Sequence, residues 1–246
     1  MTTETNRGMS ITNIRVFGFE PAFRDLRNPK ESWDRSDSKF YLDSPYNETV
    51  SAVEPWDSSR IGAPELPFIG PKDMKLALNL IVGGGAHRKF LREITVWWTI
   101  TIPRALWQEL DTYKVATVRN SCSTMHKLGS RDLTPQDFAD EDVSPRVLDG
   151  LNEMGVAYRN KQPYTNFVTG RTYEGVPLLR HMKFRLPEGF LQRAGYVFNY
   201  ETALKMWYDR KDHRMEEWSE PDCICDTIAS LPYMKEFIEA MGKMRG

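Results

Sequence analysis

The chain has 246 residues, 40% hydrophobic and 12% aromatic, with Lys+Arg 33 against Asp+Glu 34 and a formal net charge of −1. That composition excludes general disorder and permits a sizeable core. The charge balance excludes a global pull toward DNA, RNA or an anionic membrane, so any phosphate binding must come from local basic residues. The cysteines Cys122, Cys223 and Cys225 are too few for a disulfide framework. Cys223-Ile-Cys225 lacks a second ligand pair at zinc spacing, so no metal site is expected. A polar Met1 to Ser10, and no apolar run of membrane-spanning length, make a soluble, cytoplasmic protein the expectation.

In chain order, residues 11–19 alternate as a first strand. Residues from about 28 to 72 form a long polar arm rich in Pro, Ser and Asp, whose Trp and Phe residues favour packing on a neighbour. Asp73 is placed to cap a helix through Met74, Leu76, Ala77, Leu80 and Ile81, which Gly83-Gly84-Gly85 ends. That triple glycine follows a helix instead of joining a strand to one, so it is no dinucleotide fingerprint. Residues 93–102, EITVWWTITI, read as the clearest strand, apolar on both faces. Pro103 opens a helix from Arg104 to about Tyr113. Thr134 to Tyr158 reads as helical, with Thr134 and Ser144 as caps, and 160–177 as a polar connection. RHMKFRL, ending at Leu186, reads as a short strand with Lys183 and Arg185 on one face. Helices follow from about Tyr200 to Tyr208, around Met215 to Trp218, and from Met234 to Met244. The class is α/β (α+β), in a single domain over 1–246.

Candidate chemistry concentrates in two places. Thr117, Arg119, Asn120, Ser121, Cys122, Ser123, Thr124, His126 and Lys127 form a hydroxyl-rich, basic segment suited to a phosphate, though the same residues suit an ordinary polar loop. Lys183 and Arg185 either meet an anion or face solvent. Arg210 either forms a surface salt bridge or uses its fork on the edge of a pyrimidine. Cys122 is read as a buried structural thiol. Trp97, Trp98 and Trp107 are read as core or subunit-interface aromatics.

Two stretches resemble the flavin-dependent thymidylate synthase family. In the first, His87 stands at the family histidine, Ile94 to Ile102 supply the aromatic-rich strand, and Glu109 takes the place of a glutamine. Thr112-Tyr113-Lys114 occupies the Arg-His-Arg position, Thr117 the first serine, Arg119-Asn120 the Asn-Glu pair, Cys122 the second serine and Thr124 the closing arginine. In the second, Lys183, Leu186-Pro187, Arg193, Asn199 and Arg210 sit at family spacings, and His213 lies one residue from a family histidine. The chain departs from the pattern by keeping one charge, Lys114, where the signature has two arginines and a histidine.

The resemblance implies a central mixed sheet flanked by helices and transfer of a one-carbon unit to C5 of a pyrimidine nucleotide, of the dUMP-to-dTMP type. FAD would be the cofactor, with NADPH and methylenetetrahydrofolate as co-substrates, in a homotetramer. It places Lys183, Arg185, Glu109, Arg119, Asn120, Cys122, Ser123 and Thr124 on the nucleotide and Arg210 on its base, as the catalytic cation. His87, Lys114, Thr117, Asn199 and His213 would hold the flavin. Two other readings keep the fold: hydroxymethylation of dCMP or dUMP, and a non-catalytic nucleotide-binding relative.

Overall fold

The computed structural model describes residues 3–4, 8–40, 67–219 and 221–245, so residues 41–66 of the polar arm lie outside it. The strands are β1 (Thr3–Glu4), β2 (Ser10–Phe17), β3 (Thr95–Pro103), β4 (Val118–Ser121), β5 (Tyr164–Thr165), β6 (Thr172–Tyr173) and β7 (Leu191–Asn199). The helices are α1 (Phe19–Asp25), α2 (Pro71–Val82), α3 (Arg104–Leu110), α4 (Thr124–Lys127), α5 (Pro145–Arg159), α6 (Gly175–Lys183), α7 (Tyr200–Arg210), α8 (Glu216–Ser219), α9 (Ile224–Ala229) and α10 (Met234–Arg245). A five-stranded sheet has the order β1-β2-β3-β7-β4, and β5 pairs with β6 in a separate hairpin. β1–β2 and β4–β7 are antiparallel, the latter in register Val118↔Val197 to Ser121↔Ala194. The expected α/β class, a sheet flanked by helices, is what the chain adopts.

The chain divides into two compact units, one of residues 1–15 and 97–197, the other of 16–96 and 198–246. In the first, the core cluster includes Leu128, Phe138, Leu151, Met154, Leu178, Leu179 and Met182, drawn mainly from α5 and α6. α5 begins with Pro145 after Ser144, a first-turn proline whose missing N–H would have had no helical partner. Thr134 and Asp137 close a capping box over a short 3-10 turn at 135–137.

In the second unit the core is aromatic. Phe19 meets Tyr200 edge-on at 5.5 Å, Phe23 meets Phe90 at 5.7 Å, and Phe237 meets Tyr200 at 6.1 Å between ring centroids. Gly18 turns β2 into α1 at φ +96°, where a Cβ would lie 2.3 Å from the Glu93 carbonyl oxygen, so only glycine fits. Arg27 and Asp73 form a buried ion pair, Arg27 Nε donating to Asp73 Oδ1 at 2.6 Å. Ser36 and Ser38 donate their hydroxyls to Asp73 Oδ2 at 2.5 and 2.6 Å.

Several expectations are corrected. Asp73 is not the cap of α2: Gly70 occupies that position, Pro71 starts the helix, and the Asp73 carboxylate turns inward to Arg27. Pro103 closes β3 and stands just before α3 instead of inside it. β3 is not apolar on both faces, because Val96, Trp98, Ile100 and Ile102 are buried while Trp97 is 53% exposed among threonines. Trp98 and Trp107 are core residues, as read from sequence. The strand expected at RHMKFRL is the end of α6, and the period of Leu178, Leu179 and Met182 on the core side shows why.

Candidate functional site

β4 leaves its pairing with β7 at Ser121, and the chain then turns through Cys122 and Ser123 into α4. The main-chain N–H of Cys122 donates to the Arg193 carbonyl at 2.8 Å, which carries the pairing one step past the strand. The result is a cleft of about 410 Å³ in the first unit. Cys122, Ser123, Thr124 and Lys127 form one wall; Ser130, Arg131 and Asp137 a second; Phe190, Leu191, Gln192 and Arg193 a third.

The charges of this cleft decide what it can hold. Arg131 is paired bidentately with Asp137, which also accepts from the Thr134 N–H at 2.8 Å. Burial alone would raise the Asp137 carboxyl, but Arg131 and Thr134 outweigh it and hold it below the ordinary range. Among the described residues Lys127 and Arg193 have no carboxylate partner, so two positive charges and the hydroxyls of Ser123, Thr124 and Ser130 surround the space. Such a set suits an anion with several oxygens.

One residue beneath the rim organises it. The Arg119 guanidinium stacks on the Trp107 indole at 3.8 Å, donates to Asp111 at 2.7 Å, and donates to Gln192 Oε1 at 2.9 Å. Gln192 in turn donates to the Cys122 carbonyl at 3.2 Å, and its own carbonyl accepts from Trp107 Nε1 at 2.8 Å. Arg119 thus braces the segment instead of presenting its fork to the cleft.

Of the residues expected from sequence, Cys122, Ser123 and Thr124 come together in this cleft. Cys122 is exposed, which corrects its reading as a buried thiol: the strand pairing ends one residue earlier and leaves it on the rim. Asn120 lies exposed on β4, and Glu109 half-buried on α3. Lys114 is exposed in the loop after α3, and the Thr117 hydroxyl donates to the Tyr113 carbonyl at 2.6 Å. Lys183 and Arg185 do not share a strand face. Lys183 ends α6, and Arg185 folds back so that Nη1 lies 2.9 Å from His181 Nδ1.

The other expected residues belong to the second unit. Asn199 is buried as the cap of α7, its Oδ1 accepting from the Thr202 N–H at 2.9 Å. Arg210 Nη1 lies 2.8 Å from His213 Nε2, and its guanidinium carbon stands 5.2 Å from the Trp218 ring centroid. His213 Nδ1 accepts from the Met215 N–H at 3.2 Å. His87 lines a separate cleft of about 290 Å³ with Asp25, Lys89 and Glu93. There, burial and then the Asp25 charge raise the Glu93 carboxyl. Cys223 and Cys225 are both buried and unpaired by disulfide, and no cluster of metal-binding side chains occurs among the described residues. No helix among them is long and apolar enough to cross a membrane.

Sequence reading missed Ser130, Arg131, Asp137 and Gln192 as neighbours of the cleft. The antiparallel register of β4 with β7 is what brings Gln192 and Arg193 to Cys122, and no local motif announces it.

No family model and no curated protein matches the sequence. Solved structures do. A ThyX thymidylate synthase from Helicobacter pylori, crystallised with FAD and dUMP, aligns over 92% of this chain and 96% of its own with a TM-score of 0.55 and 12% identity. A second ThyX structure from Helicobacter pylori, the flavin-dependent enzyme complexed with FAD and dUMP, aligns over 94% of this chain and 100% of its own, with a TM-score of 0.57 and 12% identity. The fold is ThyX-like. At this identity the likeness establishes the ThyX-like architecture, and the chemistry has to be argued from the chain's own residues.

Proposed function

We propose that the cleft at Cys122–Arg193 binds the phosphate of a pyrimidine nucleotide, and that this ThyX-like chain, a single domain, transfers a one-carbon unit to C5 of that base, as in making dTMP from dUMP. The observation carrying the reading is the pair of cations without a carboxylate partner among the described residues, Lys127 and Arg193, in a hydroxyl-lined cleft that also contains Cys122, Ser123 and Thr124. Lys127 and Arg193 would neutralise the dianion, and Ser123 and Thr124 would donate to its oxygens. Arg119 would act as a positioning residue through Gln192. Lys183, Glu109 and Asn120 belong to the same reading as further nucleotide contacts, whereas Arg185, expected among them, is engaged by His181. The resemblance assigns Arg210 the task of stabilising negative charge on the ring as C5 turns nucleophilic.

The fit of FAD is weaker. Of the residues expected to hold it, Thr117, Asn199 and His213 already hydrogen-bond within the fold. Lys114 is one cation where the pyrophosphate would meet three basic groups in the family pattern, and His87 lies among mixed charges. These residues do not make a flavin clamp within one chain, so no step is assigned through it. The homotetramer that the resemblance implies is part of the reading, and the exposed Trp97 and Val118 on strands suit a subunit contact. FAD, NADPH and methylenetetrahydrofolate then belong to the assembled protein.

The engaged flavin residues favour a second reading, a relative that binds the nucleotide without redox chemistry. Calorimetric titration with dUMP, dCMP and inorganic phosphate tests the common part: nucleotide binding that is lost in Lys127→Ala/Arg193→Ala supports it, and unchanged binding overturns it. A visible spectrum with added FAD then separates the readings, since a flavin band that shifts with dUMP supports the transfer reaction. Product analysis on dUMP and dCMP identifies the group transferred.

A further inference from the structure

A second cleft in the first unit lies on the far side of α6. Its volume is about 400 Å³, and Tyr173, Val176, Pro177, Arg180, His181 and Phe184 line it. The residues at 176, 177, 180 and 184 recur on one helical face, opposite the Leu178, Leu179 and Met182 face that packs into the core. That outward face would ordinarily be polar. Instead Val176 is 66% and Phe184 69% exposed, with the Arg180 guanidinium 5.1 Å from the Phe184 ring centroid. No carboxylate lines the space among the described residues.

His181 adds a specific polar demand. Its ring stacks on Tyr173 at 3.8 Å with 24° between planes. Arg185 Nη1, which can only donate, lies 2.9 Å from Nδ1, so Nδ1 accepts and the ring proton sits on Nε2. Nε2 is buried and has no hydrogen-bond partner among the described residues. A buried donor left without an acceptor is uncommon in folded proteins and asks for an explanation such as a ligand.

We propose that this cleft binds a small planar anion, an aromatic or conjugated carboxylate, independently of the nucleotide site. The ring would lie among Tyr173, Val176, Pro177 and Phe184, the carboxylate would pair with Arg180, and one oxygen would accept from His181 Nε2–H as the half-buried Tyr173 ring yields. The volume is that of a small-molecule pocket, which favours such a ligand over a protein segment. The His181 Nε2–H selects an acceptor, and the charges of Arg180 and Arg185 disfavour a cation.

The test uses the full chain with 2-naphthoate as probe and 2-naphthamide as its uncharged counterpart, followed by calorimetry and by ¹⁵N chemical shifts of the histidine rings. Saturable naphthoate binding that shifts His181 is expected, with the amide bound at least about tenfold more weakly. Arg180→Gln should weaken naphthoate by about tenfold, and His181→Phe should weaken it while keeping the stack on Tyr173. Arg180 and Phe184 are exposed, so Arg180→Gln and Phe184→Ala should fold normally, and Phe184→Ala should also lower affinity. The absence of saturable binding, equal affinity for acid and amide, or binding that leaves His181 unshifted would overturn the proposal.

Discussion

Arg27 with Asp73 in one unit, and Lys127 with Arg193 in the other, show two opposite uses of charge. Arg27 is buried and saturated: it pairs with Asp73 and also donates to the carbonyls of Ser32 and Arg35 at 3.2 Å each. Lys127 and Arg193 are exposed, unpaired among the described residues and gathered round a cleft. A charge removed from water must be matched within the protein, so the first group tells us about folding. A charge left in water beside a cavity keeps its capacity for a ligand, so the second tells us about binding. Arg119 lies between these extremes, paired and stacked but one residue behind the rim.

The sharpest test of that contrast is Asp73→Ala, which strands Arg27 and should destabilise the chain by about 3–5 kcal/mol in urea denaturation. A loss below about 1 kcal/mol would show that water reaches the pair and would erase the distinction. Next comes Lys127→Ala/Arg193→Ala, expected to leave the unfolding midpoint nearly unchanged while dUMP affinity falls on the order of a hundredfold. A large stability loss there would move these cations into the structural class. Gln192→Ala should cost about 1 kcal/mol of stability and also weaken dUMP, because the Cys122 carbonyl loses its tether. Gln192→Glu, able to accept from Arg119 but not to donate to Cys122, should recover stability more than affinity.

The smallest effect is in pH. Burial, then the Arg185 charge, lowers the His181 imidazole from the ordinary 6.5. The unfolded chain therefore binds a proton as pH falls through about 6.5 before the folded chain does, so stability should decline below that pH and level off above it. Urea midpoints at several pH values check this, and His181→Phe should flatten the decline. A midpoint that rises as pH falls would contradict the assigned environment.

Sequence reading reached the long, regularly periodic elements. β3, α2, α7 and α10 follow from apolar spacing, α5 fills only the later part of the helical stretch expected over Thr134 to Tyr158, where 3-10 turns stand first, and Gly83 to Gly85 end α2 as expected. It failed at α6, where Lys183 and Arg185 alternate with Phe184 and mimic a strand, while Gly175 and Pro177 at the start hide the helical period. It missed the Arg27–Asp73 pair, whose partners are 46 residues apart and look like ordinary surface charges. The site was half legible for the same reason. Cys122, Ser123 and Thr124 are contiguous and could be read, whereas Arg193 reaches them only through strand pairing and Arg131 only through the turn after α4.

The division of the chain has a consequence for how it becomes native. The unit bearing Asp73 is assembled from 16–96 and 198–246, with the whole of 97–197 intervening. Its Arg88–Glu201 contact spans 113 residues and its Ile69–Tyr233 hydrogen bond 164. Closing loops of that length is entropically slow. During synthesis the Cys122–Arg193 cleft can condense once β7 has emerged, while the aromatic unit must wait for α10. A nascent chain of this protein would thus carry this cleft before it carries its full stability.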